Sequence, residues 1–418
     1  MKLAVTGFVS SDAGSVASAN ALLLKQLLKL GHEIDFFSKV AFVDPRPVVG
    51  EHSDFRFVDV TNGRFDWIRR KTENICGFRI VAAQFDVWTY NRMLVRVITE
   101  MHRKQGYDGC LWMGDFARGA VQGVPTVSFA QGPPGTDARS VVKRRSEIRR
   151  LAGSGQLWKW MSLARVRLSR IGSPPLWHSD HIIVGSRQSC RTLSQKYGID
   201  TSRVSALPYP IDLDHFRLGC GDGIEEREDD ALRVLWLGRI VPRKRLDLFL
   251  NGAALAIRQG IDVRLSIVGG VGFVPGYGSL IADFPFPDRL EWTAVVARSE
   301  VPGLLGRHDI LAQPSDEENF GSSVAEAQAC GLPVIVGRTN GNADYLCSRD
   351  IHLRDERPET YAAALVEMAA RKAEGRWGAA SDSRRLAEEK FSLSGVASKL
   401  TEILNSVVKR SRTTATPA

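Results

Sequence analysis

The sequence has little cysteine and lacks any long uncharged apolar run. Only 6 of its 418 residues are cysteine, and no pair among them has the spacing of metal ligands or of a disulfide framework. We expect reduced thiols in a cytoplasmic protein. Every apolar stretch falls short of the roughly 20 residues that a membrane-spanning helix needs. The brief apolar run at 1–11 predicts a buried first strand, because a secretory signal has a longer apolar core.

The composition also lacks the bias of a disordered, collagen-like or coiled-coil chain. Apolar residues make up 44% of the chain, charged residues 25%, and 38 residues are glycine. These proportions are typical of a globular α/β protein. A chain of this length is expected to form two domains. With 56 Lys and Arg against 47 Asp and Glu, the formal net charge is +9.

Short apolar runs alternate with helical patterns through both halves of the chain. A helix is predicted from Val16 to Leu30, since its leucines recur three and four residues apart. The strand candidates after the first are 33–38, 108–114, 124–130, 181–186, 232–238, 263–270, 310–315 and 333–337. Parallel sheets covered by helices on both faces give this alternation. The predicted fold class is α/β, with two doubly wound, Rossmann-like domains facing across a cleft.

Glycines and a run of acids at 219–231 interrupt the alternation and predict a linker. The predicted N-terminal domain is 1–218 and the predicted C-terminal domain is 232–385. A terminal helix at 386–407 is a candidate to pack back on the first domain, and 408–418 is predicted to be a disordered tail. Ligands of such folds bind at the carboxyl ends of the strands, so one cleft is expected between the domains.

Basic residues follow the first strand of the second half. Gly238 and Arg239 stand at the carboxyl end of that strand, and Lys244 follows five residues later. An arginine can donate two parallel hydrogen bonds to a phosphate, and a lysine adds a mobile point charge. These residues fit a phosphate or diphosphate ligand. A solvated basic loop is the alternative.

Two acids flank a predicted helix start in the second half. Gly321 and Ser322 open the helix, whose free N–H groups form an anion site on the same side as Arg239. Glu318 precedes the helix, where its carboxylate can accept hydrogen bonds from sugar hydroxyls. The alternative is that its charge only complements the helix dipole. Glu326 lies inside the helix, where it fits the hydroxyls of a ribose or is an exposed surface acid.

The spacing of these acids resembles that of a known family. Glu318 and Glu326 are separated by seven residues, and Gly-Leu-Pro-Val follows at 331–334. This Glu-x7-Glu pattern resembles the retaining GT-B glycosyltransferases of family 4, the group 1 glycosyltransferases. The segment Gly238-Arg239-x4-Lys244 resembles the diphosphate clamp of that family, and the glycine turn at Gly14 resembles a landmark of its first domain.

The resemblance implies transfer of a hexose, with retention at the anomeric carbon, from a UDP- or GDP-linked sugar to a hydroxyl acceptor. No metal or other cofactor is implied. The first domain would face the acceptor, and the second would bind the nucleotide sugar. The implied donor-binding residues are Gly14, Gly238, Arg239, Lys244, Glu318, Asn319, Phe320, Gly321, Ser322 and Glu326.

Specific roles also follow from the resemblance. Arg239 and Lys244 would hold the diphosphate, and Glu326 would hold the ribose. Glu318, with the amides around Phe320 and Gly321, would hold sugar hydroxyls. Arg239, Lys244 and Glu318 are the predicted catalytic residues, because fixed charges stabilise an oxocarbenium-like transition state and its departing diphosphate.

Some positions depart from the family pattern. Gln131 stands where family members usually have a histidine, and an amide cannot transfer a proton at neutral pH. Gln131 therefore either hydrogen-bonds the sugar or acceptor, or only holds the proline-rich turn that follows it. The family commonly has glycine where this chain has Asn319 and Arg245. These departures leave the identity of the sugar open.

Residues 139–170 contain ten basic residues and a single acid, Glu147. Trp158 and Trp160 are interspersed among them, as in segments that rest on anionic lipid headgroups. A solvated helical face with core tryptophans is the alternative. Nucleic-acid binding is not expected, because no nucleic-acid module is present and stacking aromatics are few. The expected location is cytoplasmic, peripheral at the inner face of the cell membrane.

The predicted function is a metal-independent, retaining hexosyltransferase of cell-surface polysaccharide or lipopolysaccharide biosynthesis. Its expected partners are a nucleotide-sugar donor, a glycan or lipid-linked acceptor and an anionic membrane surface. A nucleotide-sugar epimerase or phosphorylase on the same fold, or a non-catalytic nucleotide-sugar-binding scaffold, are the alternatives. The presence of Glu318, Glu326, Arg239 and Lys244 together argues against a scaffold.

Overall fold

The computed structural model describes residues 1–10, 14–39, 43–60, 79–169, 176–219 and 230–415. Two sheets lie within this part of the chain. The strands of the first are β1 Lys2–Gly7, β2 Glu33–Ser38, β3 Phe55–Asp59, β4 Gly109–Gly114, β5 Thr126–Ala130, β6 His181–Val184 and β7 Val204–Ala206. The strands of the second are β8 Leu232–Leu237, β9 Val263–Val268, β10 Leu290–Thr293, β11 Ile310–Gln313, β12 Val334–Val336 and β13 Ile351–His352.

Both sheets are parallel and doubly wound. The strand orders are β3-β2-β1-β4-β5-β6-β7 and β10-β9-β8-β11-β12-β13. In each sheet the order reverses beside the first strand, which is where ligands of such folds bind. Every residue of β4 and of β5 is buried, because helices cover both faces. The predicted fold class, two Rossmann-like α/β domains, is confirmed.

The helices alternate with these strands. They are α1 Gly14–Lys29, α2 Arg46–Val49, α3 Arg79–Gln105, α4 Thr136–Lys143, α5 Arg145–Leu168, α6 Arg187–Tyr197, α7 Leu246–Arg258, α8 Ser279–Ala282, α9 Val301–Gly306, α10 Ser322–Ala329, α11 Pro358–Ala373, α12 Ala380–Phe391 and α13 Leu393–Ala415. In this described part of the chain, no helix is both long and apolar enough to cross a bilayer.

The last helix of the chain returns to the first domain. Leu400 and Leu404 of α13 are buried in the same core as Leu23 of α1, and the His32 ring lies 3.1 Å from the Thr401 hydroxyl. The predicted bounds of the terminal helix, 386–407, require correction. Two helices occupy this region, because α12 ends at Phe391 and α13 extends to Ala415. Residues 408–415, which were predicted to belong to a disordered tail, are helical, and Val408 is buried.

The two helices after β5 cross to the second domain, and we call residues 136–168 the crossing segment. Val141 and Ile148 of this segment are buried in the core of the C-terminal domain. Gly153 has φ 79° and kinks α5, which bends the helix along that domain. The crossing segment therefore belongs to the first domain by connectivity and to the second by packing.

Ion pairs fix the crossing segment to the second domain. Arg144 pairs with Asp316 at 2.7 Å and with Glu356 at 2.6 Å, and Arg139 pairs with Glu317 at 2.6 Å. Part of the positive charge of residues 139–170 is thus neutralised by the C-terminal domain, and contact of this segment with an anionic membrane remains a prediction. Most of the predicted linker (220–229), the turn at 11–13 and Arg170 lie outside the described residues.

Candidate active site

Residues that follow β5, β8 and β11 line one cleft between the domains. Its volume is about 510 Å³, and its lining includes four predicted site residues, namely Gln131, Arg239, Glu318 and Asn319. Phe320, Gly321, Ser322 and Glu326 do not line this cleft. Gly14, Gly238 and Lys244 are not part of the lining either, so the structure brings only some of the predicted site residues onto this cleft.

The end of β8 brings the predicted clamp residues together. Gly238 has φ 147°, a conformation that favours glycine, and a Cβ there would lie 3.6 Å from the Lys244 Cε. Lys244 closes the 3-10 turn Pro242–Lys244, which returns its side chain over Gly238. The Arg239 guanidinium is exposed at the cleft, and no carboxylate of the described residues pairs with it.

Glu318 lies between two cations. Its carboxylate is 2.6 Å from the Lys244 ammonium and 2.7 Å from the Arg243 guanidinium. Burial alone would raise the pKa of Glu318, but Arg243 and Lys244 outweigh burial and lower it to about 2. Glu318 is therefore an anion throughout the physiological pH range and is unsuited to transfer protons.

Arg243 was not among the predicted site residues. It pairs with Glu318 and also with Asp137 of α4 at 2.7 Å, so it connects the loop after β11 to the crossing segment. The resemblance identified only the Arg and Lys at the two ends of this motif. The one feature of the sequence that could have indicated Arg243 was the run of three basic residues at 243–245.

Asn319 and Phe320 serve the junction of the domains. The Gly185 N–H donates to the Asn319 side-chain oxygen at 2.9 Å. The ring of Phe320 is buried, with centroids 5.3 Å from Phe391 and 6.0 Å from Tyr209. The side chain of Phe320 is thus part of the core, and only its backbone remains a candidate for donor binding.

Gly321 and Ser322 form the start of α10. Gly321 has φ 74°, and a Cβ there would lie 2.9 Å from the Gln313 Oε1 and 3.1 Å from the Asn340 Oδ1. A side chain at this position is therefore excluded by conformation and by space. The Gly321 carbonyl accepts from the Asn342 side chain at 2.6 Å, which fixes the helix start that the anion-site prediction needs.

Glu326 is buried, which rules out the alternative of an exposed surface acid. Its carboxylate is 3.0 Å from the Arg298 guanidinium, which lies over the Phe216 ring at 5.3 Å. Burial raises the pKa of Glu326, and Arg298 opposes that rise. Arg298 was missed because the loop that carries it has no recognisable motif.

Gln131 is exposed on the cleft, and both of its predicted roles remain open. Gly14 is the first residue of α1, and its role in approaching the donor phosphate remains a prediction.

Within the described ranges, no three His, Cys, Asp or Glu side chains converge as metal ligands would.

Solved structures define the class of this fold. A glycosyltransferase from Rickettsia africae matches with a TM-score of 0.65 at 15% identity, over 98% of each chain. Anabaena Alr3699/HepE, in complex with UDP and glucose, matches with a TM-score of 0.62 at 14% identity, over 96% of this chain and 99% of that one. These are GT-B structures, and the likeness shows the fold.

Sequence comparison relates part of the chain to one family of glycosyltransferases. Residues 223–379 match the family model of glycosyl transferases group 1. A D-inositol 3-phosphate glycosyltransferase of Geodermatophilus obscurus is 32% identical over 219 residues, 46% of each chain. A GDP-mannose-dependent phosphatidylinositol monomannoside mannosyltransferase of Mycolicibacterium smegmatis is 28% identical over 213 residues, 47% of this chain and 54% of the relative. The chain thus spans about half the length of these curated relatives.

The chain therefore has a GT-B fold, and its residues 223–379 are similar to group 1 glycosyltransferases. The matched region contains Arg239, Lys244, Glu318 and Glu326, the residues on which the resemblance depended.

Proposed function

We propose that the protein is a retaining group 1 glycosyltransferase that transfers a hexose from a UDP- or GDP-linked sugar to a hydroxyl of a glycan or glycolipid. The observation that carries this proposal is the charged group at the head of the cleft. There the Glu318 anion lies 2.6 Å from Lys244, and Arg239 faces the cleft without a partner among the described residues. An anion beside a paired lysine and an unpaired arginine suits a donor with a cationic reacting carbon and an anionic leaving group.

The positive and negative side chains have different roles in the proposed reaction. Breaking the glycosidic bond leaves positive charge on the anomeric carbon and negative charge on the departing diphosphate. Arg239 and Lys244 would bind the diphosphate oxygens, while Glu318 would accept hydrogen bonds from sugar hydroxyls and face the cationic carbon. Burial lowers the pKa of the Lys244 ammonium, although Glu318 opposes that effect. The protein cations supply this stabilisation in the proposed reaction, so no metal is assigned to it.

Donor binding has to compete with ion pairs already present. Glu318 is held by Arg243 and Lys244, and Glu326 is held by Arg298. Both cations pair with the same carboxylate oxygen, Oε2 of Glu318, so a diphosphate that approaches Lys244 would take over part of that pairing while Arg243 still holds Oε2. We infer that the donor redistributes these existing pairs, while Arg239 offers the diphosphate a guanidinium that no described carboxylate neutralises.

The nucleotide site is tested by titrating the protein with UDP, GDP, ADP and dTDP, without metal and then with Mg²⁺. One nucleotide is expected to bind without metal and, at 100 times its Kd, to stabilise the fold by about 2.7 kcal/mol. Glu326→Ala is expected to weaken that nucleotide about tenfold, because the hydrogen bonds of a buried carboxylate to the ribose are lost. Calorimetric Kd values measure the loss.

The control for Glu326→Ala is Glu402→Ala, a surface position on α13, which should leave the Kd unchanged. Equal affinity of the Glu326 variant and the wild type would contradict the ribose assignment. No binding by any of the four nucleotides would contradict the proposed function.

The pathway we propose is assembly of cell-surface polysaccharide or lipopolysaccharide at the inner face of the cell membrane. WaaG, a glycosyltransferase involved in lipopolysaccharide biosynthesis, has a TM-score of 0.60 to this chain, and the mycolicibacterial relative is named for a phosphatidylinositol glycolipid. On this chain, Trp158 of the crossing segment is 74% exposed and precedes Lys159, and an exposed tryptophan next to a basic residue suits the lipid interface.

Trp158→Ser is expected to reduce several-fold the fraction of protein that floats with vesicles containing anionic lipid, since the indole no longer inserts at the interface. The matched control is Trp292→Ser, a 46% exposed tryptophan in β10. Vesicle flotation in 50 mM and 300 mM salt also separates the charge contribution. Equal flotation of the wild type and the Trp158 variant would remove the membrane surface from the proposal.

A further inference from the structure

The cleft continues from the donor residues to the crossing segment. A Cβ added to Gly132 would lie 2.9 Å from the Asn319 Cβ, and one added to Gly135 would lie 2.8 Å from the Leu168 Cδ2. The turn 131–135 is thus wedged between the loop after β11 and the end of α5. Because residues of all three line the same cleft, a second ligand in this extension would lie beside the donor.

One wall of the extension is apolar. The rings of Trp160, in α5, and Phe273, after β9, have centroids 5.1 Å apart, and Val141 and Leu163 complete the wall. Ligand sites are commonly built this way, with apolar surface supplying contact area and a few polar groups fixing orientation. Such a wall can receive the C–H face of a sugar or polyol ring.

Arg167 supplies the charge in this extension. It is exposed and lines the cleft, and none of the described residues gives its guanidinium a carboxylate partner. Arg139, Lys143 and Arg144, on the same segment, are each neutralised by acids of the C-terminal domain. The cleft therefore presents an unneutralised guanidinium beside an apolar wall.

The donor does not account for Arg167. The donor diphosphate is assigned to Arg239 and Lys244, which follow β8 in the C-terminal domain. Arg167 belongs to the crossing segment, between β5 and β6, which is part of the N-terminal domain by connectivity and packs on the C-terminal domain. A guanidinium there can donate two parallel hydrogen bonds to a second phosphate.

We propose that Arg167, Trp160 and Phe273 form an acceptor subsite for a phosphorylated polyol or sugar. The phosphate pairs with Arg167, the ring packs on the aromatic wall, and the acceptor hydroxyl is thereby directed to the donor. This inference rests on the proposed function and names the chemical class of its acceptor. A phosphomonoester of a soluble acceptor and a phosphodiester of a lipid headgroup share the oxygens that Arg167 would bind.

The subsite is tested by calorimetric titration of the full-length protein, alone and saturated with its nucleotide diphosphate. The probes are D-inositol 3-phosphate, unphosphorylated myo-inositol, and phosphatidylcholine vesicles with and without phosphatidylinositol. We expect a phosphorylated probe to bind at least tenfold more tightly than its unphosphorylated counterpart. Arg167→Ala is expected to raise the Kd of that probe ten- to a hundredfold, and Arg167→Lys to recover part of the loss.

The matched control is Arg165→Ala, an exposed arginine of α5 that does not line the cleft. Binding confined to the soluble probe identifies a phosphomonoester, and binding confined to phosphatidylinositol vesicles identifies a lipid headgroup. The subsite is overturned if neither phosphorylated probe binds, if Arg167→Ala leaves binding unchanged, or if Arg165→Ala causes an equal loss. Nucleotide binding that persists in any of these cases leaves the proposed function intact.

Discussion

Glu318→Gln is expected to lower kcat by two to three orders of magnitude, while the Kd of the free nucleotide diphosphate changes less than tenfold. The amide keeps the size of the carboxylate but removes the charge that faces the cationic carbon, and losing one such group typically costs that much in rate. Lys244 loses its anionic partner, and Arg243 keeps only its pair with Asp137. Both cations then attract the diphosphate more strongly, so binding of the leaving group is not expected to suffer.

Glu318 of the wild type keeps its charge from pH 6 to pH 9, because its pKa is lowered to about 2. The loss should grow toward pH 9, because the variant lacks the carboxylate that opposes the lowering of the Lys244 pKa by burial. Measured kcat and nucleotide Kd separate the effects on rate and on binding. Glu318→Asp, which keeps the charge, should recover part of the rate. The control is Glu388→Gln, whose carboxylate pairs with Arg384 on the surface of α12. A loss of nucleotide affinity as large as the loss of kcat would show that Glu318 only supports the binding site.

The fold class could be predicted because the evidence for each strand lies in a short segment of the sequence. Buried parallel strands are short apolar runs, and β4, β5, β8 and β9 are of this kind. The edge strands β7 and β13, with three and two residues, are too short to show a pattern. The bend between α12 and α13 at Ser392 was also missed, since packing on two domains decides it.

The site was predictable in its residues but not in its pairings. Lys244 and Glu318 were assigned to different parts of the donor, whereas in the structure they pair with one another. Arg298 is remote from Glu326 in sequence, so only the fold reveals that pair. Arg245 has φ 56°, which explains why glycine suits that position in the family. This chain keeps an arginine there, and its side chain joins a buried ion cluster.

Asp316→Asn is expected to destabilise the C-terminal domain by about 3 kcal/mol, which is the usual cost of removing one partner from a buried ion pair. Asp316 is 4% exposed and contacts Lys143, Arg144 and Arg245 at 3.4, 2.7 and 3.4 Å. Burial by itself lowers the pKa of the Arg144 guanidinium, but Asp316 and other acids hold that pKa above its ordinary value. Without the Asp316 charge, a buried guanidinium is left only partly compensated, and the crossing segment loses its main attachment.

Thermal unfolding measures this effect, and 3 kcal/mol corresponds to a fall of roughly 6–12 °C in Tm for a domain of this size. The control is Glu367→Gln, which removes an exposed pair with Arg371 on α11 and should cost less than about 0.5 kcal/mol. Arg144→Met should cost less in the Asp316→Asn background than in the wild type, because the two residues share one interaction. Additive losses would show that Asp316 stabilises the domain without holding the crossing segment. In that case the cleft wall that carries Trp160 and Arg167 would owe its position to apolar packing and to the ion pairs of the crossing segment with Glu317 and Glu356.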